Sequence, residues 1–208
     1  MQVKAVLDAC VLFSKTLTDA LLYPAQVDAF IPYWSGFIRD EWTRNLHAHQ
    51  LKRGRAPDGV LSRARAMDKA FPNSCVPDDR VLAFFPAARE IAADLGKPPA
   101  DDVHVLAVAM AAEAQVIVTS NTDHFPEQMR VMAKTIRRET PDQFLTRLFV
   151  DVPDIVLLGY RRQLSCTKSS PRTLQDIIHR LRDPRMAPAA AQRLTELVSI
   201  SRSDRHSK

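Results

Sequence analysis

No stretch of this 208-residue chain is apolar over anything near the roughly 20 residues that cross a bilayer, so no membrane span is expected. Cysteine is scarce. Cys10, Cys75 and Cys166 are odd in number and far apart, which fits neither a disulfide framework nor a zinc site. The six histidines form no recognisable metal set; His47 and His49, two residues apart, point to different helix faces. No internal repeat is evident. The first residues place Asp8 where a signal peptide needs a long apolar stretch, so secretion is not expected and a cytoplasmic location is.

What is present is ordinary in bulk and uneven in detail. A hydrophobic fraction of 46% and a charged fraction of 25% describe a soluble globular chain, long enough for one full core with something appended. The formal charge of +5 is not spread evenly. Residues 1–150 hold 18 Lys and Arg against 18 Asp and Glu, and residues 151–208 hold 11 against 6, so the whole excess lies in the C-terminal part. A polyanionic partner is one reading of that excess and a solvated basic face is the other.

Hydrophobic patterning suggests an α/β order. Residues 3–12 are apolar around a single acid, which reads as a buried strand ending near Asp8. A short helix over 14–22 is closed by Pro24. Residues 33–51 carry a helical stripe of Trp34, Phe37, Ile38, Trp42, Leu46 and Leu51, with Glu41 on that helix. The segment 52–59, with two glycines and a proline, turns the chain into a second helix over 60–71. Arg44, Lys52, Arg53 and Arg55 gather at this hairpin, where they can grip a phosphate backbone. A short strand within 75–81, a helix over 86–95 with Pro86 in its first turn, and an alanine-rich helix over 103–114 follow. Residues 116–119 form a buried strand. A last strand at 130–133 and a helix over 141–149 complete the core, and strand, helix, strand order implies a parallel sheet. Two more helices are expected over 172–181 and 188–198.

Acids recur at element ends: Asp8 after the first strand, Asp101 and Asp102 opening a helix, Asp123 after the 116–120 strand. Ligand sites gather at the carboxyl ends of parallel strands. Converging carboxylates repel, and an all-oxygen set favours Mg²⁺ or Mn²⁺, which can activate water and offset charge on a phosphodiester. Each acid also has an ordinary role. Asp101 or Asp102 can simply cap a helix, and Glu41 can simply face solvent beside Asp40. Asp8 is the hardest to explain that way, because an unpaired carboxylate inside an apolar run is costly to bury.

Val6-Leu7-Asp8-Ala9-Cys10-Val11-Leu12 and Pro32-Tyr33-Trp34-Ser35 through Asp40-Glu41-Trp42 resemble the first half of a PIN domain. Asp101-Asp102-Val103-His104-Val105-Leu106-Ala107-Val108-Ala109 and Val116-Ile117-Val118-Thr119-Ser120-Asn121-Thr122-Asp123-His124-Phe125 resemble the second half. The resemblance spans residues 2–149 and is nearest to VapC-like ribonucleases, the toxins of bacterial toxin-antitoxin pairs. It implies a three-layer α/β/α sandwich around a parallel sheet over residues 1–150; beyond it, patterning and composition suggest a helical extension at 151–200 and a disordered tail at 201–208. It further implies a metal-dependent endoribonuclease, with Asp8, Glu41 and Asp102 as catalytic and metal-binding acids. The fourth metal position falls to Asp123, with Asp101 and Asn121 as further candidates, because His124 stands where many relatives carry an acid. Cys10 likewise stands where a small polar residue is usual. Thr119 would orient a water or a carboxylate, or else satisfy backbone groups at the strand end. RNA, a small antitoxin and a second copy of the chain are the implied partners.

Two other acid-first folds are disfavoured. A haloacid dehalogenase-type phosphohydrolase needs an acid where Cys10 stands, and a receiver domain needs a late strand-end lysine where Ser120-Asn121 follow. The competing reading is a PIN-like module that binds RNA or protein with weak or no cleavage, and His124 is the residue that favours it.

Overall fold

The structure, a computed structural model, describes residues 2–131, 133–167 and 170–206. Met132, Lys168, Ser169 and residues 207–208 lie outside the described residues, so the strand expected at 130–133, the polar stretch 165–170 and the tail 201–208 are read from their described members only. Packing groups residues 1–14 and 30–139 in one compact unit, and residues 15–29 and 140–208 in a second.

The first unit begins with β1 (Lys4–Leu7), which ends one residue before Asp8, and α1 (Ala9–Phe13), which Asp8 caps. The apolar run 3–12 therefore divides into strand and helix at its one acid. α2 (Lys15–Ala25) belongs to the second unit and keeps Pro24 inside its last turn. β2 (Ile31–Ser35) then takes Tyr33, Trp34 and Ser35 as strand, where the sequence pattern suggested helix. The helix α3 (Gly36–Lys52) starts only after Ser35, whose hydroxyl accepts from Ile38 N at 3.3 Å, while Asp78 accepts from Gly36 N at 3.0 Å. Only Gly36, Ile38 and Trp42 of this helix are buried, and Leu51 at its far end is exposed. A turn leads to α4 (Gly59–Ala70), giving the expected helical hairpin.

After β3 (Cys75–Val76) the chain forms α5 (Asp78–Leu95), which starts eight residues earlier than expected and carries Pro86 in its interior. A 3₁₀ turn, Ala100–Asp102, enters α6 (Val103–Ala111), in which every residue but His104 is buried. β4 (Val116–Val118) follows, then a hairpin of β5 (Gln128–Val131) and β6 (Lys134–Glu139), whose second strand the sequence reading did not separate.

These strands make one mixed sheet in the order β3-β2-β1-β4-β6-β5, parallel except for β5 against β6. Ala5, Val6 and Leu7 pair with Val116, Ile117 and Val118, and all six side chains are fully buried. Successive strand residues face opposite sides, so both faces of this central pair are covered. Strand order reverses between β1 and β4, which makes their carboxyl ends the switch point where open α/β sheets form binding crevices.

The second unit is helical: α2 with α7 (Pro141–Asp151), α8 (Pro153–Cys166), α9 (Leu174–Leu181) and α10 (Pro188–His206). The helix α8 was not expected from the sequence. Its Tyr160 donates to Ala20 O of α2 at 3.2 Å, and Gly159 lets the α2 backbone approach closely. Asp142 on α7 accepts from Ala189 N and Ala190 N, at 3.2 and 2.8 Å, and so caps α10. That helix continues through His206, where a disordered tail was expected from residue 201. No helix among the described residues is long and apolar enough to cross a membrane.

Candidate active site

Asp8 leaves the end of β1 with its carboxylate turned into the switch point. Only 2% of the residue is exposed, and its oxygens are bound on several sides. Oδ1 accepts from Ala9 N at 2.6 Å. Oδ2 accepts from the Thr119 hydroxyl at 2.6 Å and from the Cys10 thiol at 3.1 Å. Thr119 directly follows β4, and its own oxygen accepts from Asn121 N at 3.0 Å, which fixes the start of the following loop. Cys10 accepts from Ser120 N at 3.2 Å and so ties α1 to the same loop.

Burial pushes the Asp8 carboxyl above its ordinary range, against the pull of Thr119 and Cys10, and the carboxylates of Asp102 and Glu41 push it further in the same direction. Three acids from β1, α3 and the entry to α6 therefore share one electrostatic environment. The Cys10 thiol is pushed up to about 12, chiefly by burial and then by the charge of Asp8, so it is a packed donor rather than a nucleophile.

Asp102 stands at the N-terminus of α6, yet its side chain makes no capping bond, so the ordinary explanation for an acid there does not apply. The carboxylate is buried and instead accepts from His124 Nδ1 in the loop after β4. Glu41, half-buried on α3, lies 3.3 Å from His104 Nε2, and His104 Nδ1 donates to the Asp101 carbonyl at 2.7 Å. Burial alone would lower the His104 pKa, but the Glu41 carboxylate and the Asp101 carbonyl outweigh it and the pKa is raised.

The remaining sequence candidates separate. Asp101 contributes its carbonyl while its side chain is exposed, and Asp123 is exposed in the loop after β4, outside the hydrogen bonds just described. Asn121 takes part through its backbone N–H. Asp40, next to Glu41, is exposed and pairs with Arg39 at 3.6 Å. Arg44, Lys52, Arg53 and Arg55 are all exposed, and among the described residues none of these four side chains makes an ion pair.

Two further side chains take their roles from contacts between elements. His104, on α6, meets Glu41 from α3, a contact that no local pattern marks. Arg63, on α4, donates to Leu12 O at 2.6 Å and Phe13 O at 3.4 Å, holding the end of the short helix that Asp8 begins. Its guanidinium also lies 5.0 Å from the centre of the Trp42 ring, next to Glu41 in sequence.

Three carboxylates that repel one another suit a hard divalent cation by donor chemistry. In the geometry described, the imidazoles of His124 and His104 stand against Asp102 and Glu41, and among the described residues no three His, Cys, Asp or Glu side chains are grouped tightly enough to hold a metal ion. Compared with known proteins, the chain matches no family model, no curated protein and no solved structure.

Proposed function

We propose that this chain is a metal-dependent endoribonuclease of PIN-like, three-layer α/β/α architecture, working in the cytoplasm as the VapC-like toxin of a toxin-antitoxin pair. The observation that carries the nuclease reading is the shared electrostatic environment of Asp8, Glu41 and Asp102 at the switch point between β1 and β4. Burying carboxylates together is costly, and such an arrangement is retained most readily where a counter-charge or a proton transfer uses it. Asp8, Glu41 and Asp102 would hold Mg²⁺ or Mn²⁺, which when bound supplies Lewis-acid activation of water and offsets charge on the phosphodiester. Thr119 and Cys10 fix the Asp8 carboxylate in one orientation, and Arg63 holds the helix that Asp8 begins. The exposed bases of the α3–α4 hairpin would grip the RNA backbone without reading its sequence. A small antitoxin and a second copy of the chain are partners proposed on the sequence resemblance alone.

The test is cleavage of single-stranded RNA by the full chain with Mg²⁺, with Mn²⁺ and with EDTA, for the natural protein and for Asp8→Asn. Cleavage is expected to need the cation and to be lost in Asp8→Asn while the circular dichroism spectrum is unchanged. Cleavage that survives EDTA or Asp8→Asn would sink the metal-dependent reading. A second reading, a module that binds RNA or protein with weak or no cleavage, is favoured by the contact of His124 with Asp102. On that reading RNA is retained under every metal and nothing is cut.

A further inference from the structure

We propose that the outer face of α8 is a self-complementary docking surface for a second copy of this chain, the two α8 helices lying antiparallel about a twofold axis close to Leu158. The helix turns Val156, Leu157, Gly159, Tyr160 and Gln163 into the second unit. Asp154, Leu158, Arg161, Arg162 and Ser165 are exposed, and their spacing of i, i+4, i+7, i+8 and i+11 sets them in one stripe on the opposite side. Leu158 is 52% exposed and, with Val150, is one of two large apolar side chains left exposed among the described residues of that unit. A lone exposed leucine needs no explanation. The charges on either side of Leu158 are what single it out.

Asp154 and Arg161 stand two turns apart on the same side of the helix, about 10 Å along its axis, too far to pair with each other. Among the described residues neither makes an ion pair. Reversing the direction of α8 about a point between Leu157 and Leu158 exchanges their positions. A second α8 laid antiparallel therefore sets its Arg161 against Asp154, its Asp154 against Arg161, and its Leu158 against Leu158. That is the property of an isologous twofold contact, in which residue i meets j and j meets i. A parallel pair would set acid against acid and arginine against arginine, so charge selects both the occupant and its direction. Resemblance alone suggested a second copy; α8 gives that copy a surface, and the surface does not rest on the nuclease reading. One leucine and two symmetry-related ion pairs make a small contact, so dimer and monomer exchange reversibly.

The experiment is sedimentation equilibrium of the full chain up to about 1 mM, for the natural protein, Asp154→Arg, Arg161→Asp and the variant carrying both. Each single reversal sets like charges together twice per dimer and is expected to weaken association at least about tenfold. The double reversal restores both pairs in exchanged positions and should return the affinity to within about threefold of the natural value. Leu158→Cys, in a background with the exposed Cys166 replaced by Cys166→Ser, should cross-link to its own copy under mild oxidation, because a residue near the axis faces itself. The cross-link decides the matter even where a charge reversal fails to fold. A dimer indifferent to the single reversals, not restored by the double one, or not cross-linked at 158 overturns the α8 surface and leaves a second copy bound elsewhere. A chain that stays monomeric throughout overturns the surface and the second copy together, and the cleavage test stands apart from both.

Discussion

The Thr119 hydroxyl donates to Asp8 Oδ2 across 2.6 Å, tying the carboxyl end of β4 to that of β1. The bond serves a carboxylate with almost no access to water, and the Thr119 hydroxyl oxygen itself accepts from Asn121 N. Thr119→Val keeps the shape and removes both interactions. We expect a loss of about 1–3 kcal/mol in urea unfolding, with Thr119→Ser recovering most of it. A Val variant as stable as the natural protein would mean that the carboxylate finds another donor.

Cys10 touches Asp8 and Thr119, so its reactivity reports on the state of the site. With its thiol pushed up to about 12, the thiolate fraction at pH 8 is roughly one in ten thousand and grows only as the pH climbs toward that value. Iodoacetamide at pH 8 should therefore modify the exposed Cys166 and leave Cys10 intact until the chain unfolds. Peptide mass spectrometry before and after adding urea would decide it, and fast alkylation of native Cys10 would contradict a thiol held so far above its ordinary range.

The parts that were legible in the sequence are those where one residue's surroundings are local. Asp8 announced itself because an acid interrupts an apolar run, and a strand end is where such an interruption belongs. The α3–α4 hairpin was equally legible, since glycines and a proline separate two helical stretches. Glu41 and Asp40 could not be separated by periodicity, because both stand on an exposed-looking stretch of helix; the difference is the partner each meets, His104 from α6 for Glu41 and Arg39 for Asp40. The contacts of His104 and His124 were invisible for the same reason, each depending on a residue from another part of the chain. Tyr33 to Ser35 were read as helix because the stripe of the following helix extends backwards through Trp34, while pairing with β1 and β3 decides otherwise. In the helical unit, α8 is opened by Pro153 with Asp154 in its first turn but without a capping side chain, so the start signals at hand are the weaker ones.

Gly159 shows what holds that helix in place. A Cβ there would lie 2.5 Å from Pro24 Cα and 2.8 Å from the Tyr23 carbonyl oxygen, and both are backbone atoms that cannot turn aside. Gly159→Ala should cost about 1–3 kcal/mol through overpacking, more than the roughly 1 kcal/mol that alanine contributes to a helix over glycine. Gly59, at the start of α4, meets nothing within 4 Å, and Gly59→Ala is expected to be neutral or slightly stabilising. Thermal unfolding of the two variants side by side checks the contrast, and equal midpoints would refute the close approach of α2 to α8.

The hairpin gives a prediction about RNA that does not depend on cleavage. Lys52, Arg53 and Arg55 follow one another around the tip, exposed and without ion pairs among the described residues, so their charge is available to a phosphate backbone. Arg185 is also exposed, but its guanidinium is held by Asp183 at 2.8 Å, and that carboxyl is lowered to about 2 by the contact, so the pair carries no net charge at neutral pH. If the hairpin grips RNA, Arg53→Ala with Arg55→Ala should weaken binding of single-stranded RNA and reduce the slope of log affinity against log salt by about 1.4, since each lost phosphate contact removes about 0.7. Arg185→Ala should leave the slope unchanged. Fluorescence anisotropy over a salt series, with the Asp8→Asn background to prevent cleavage, separates the two. An unchanged slope in the hairpin variant would move the RNA-binding surface elsewhere, and the basic excess of residues 151–208 would be the next place to look.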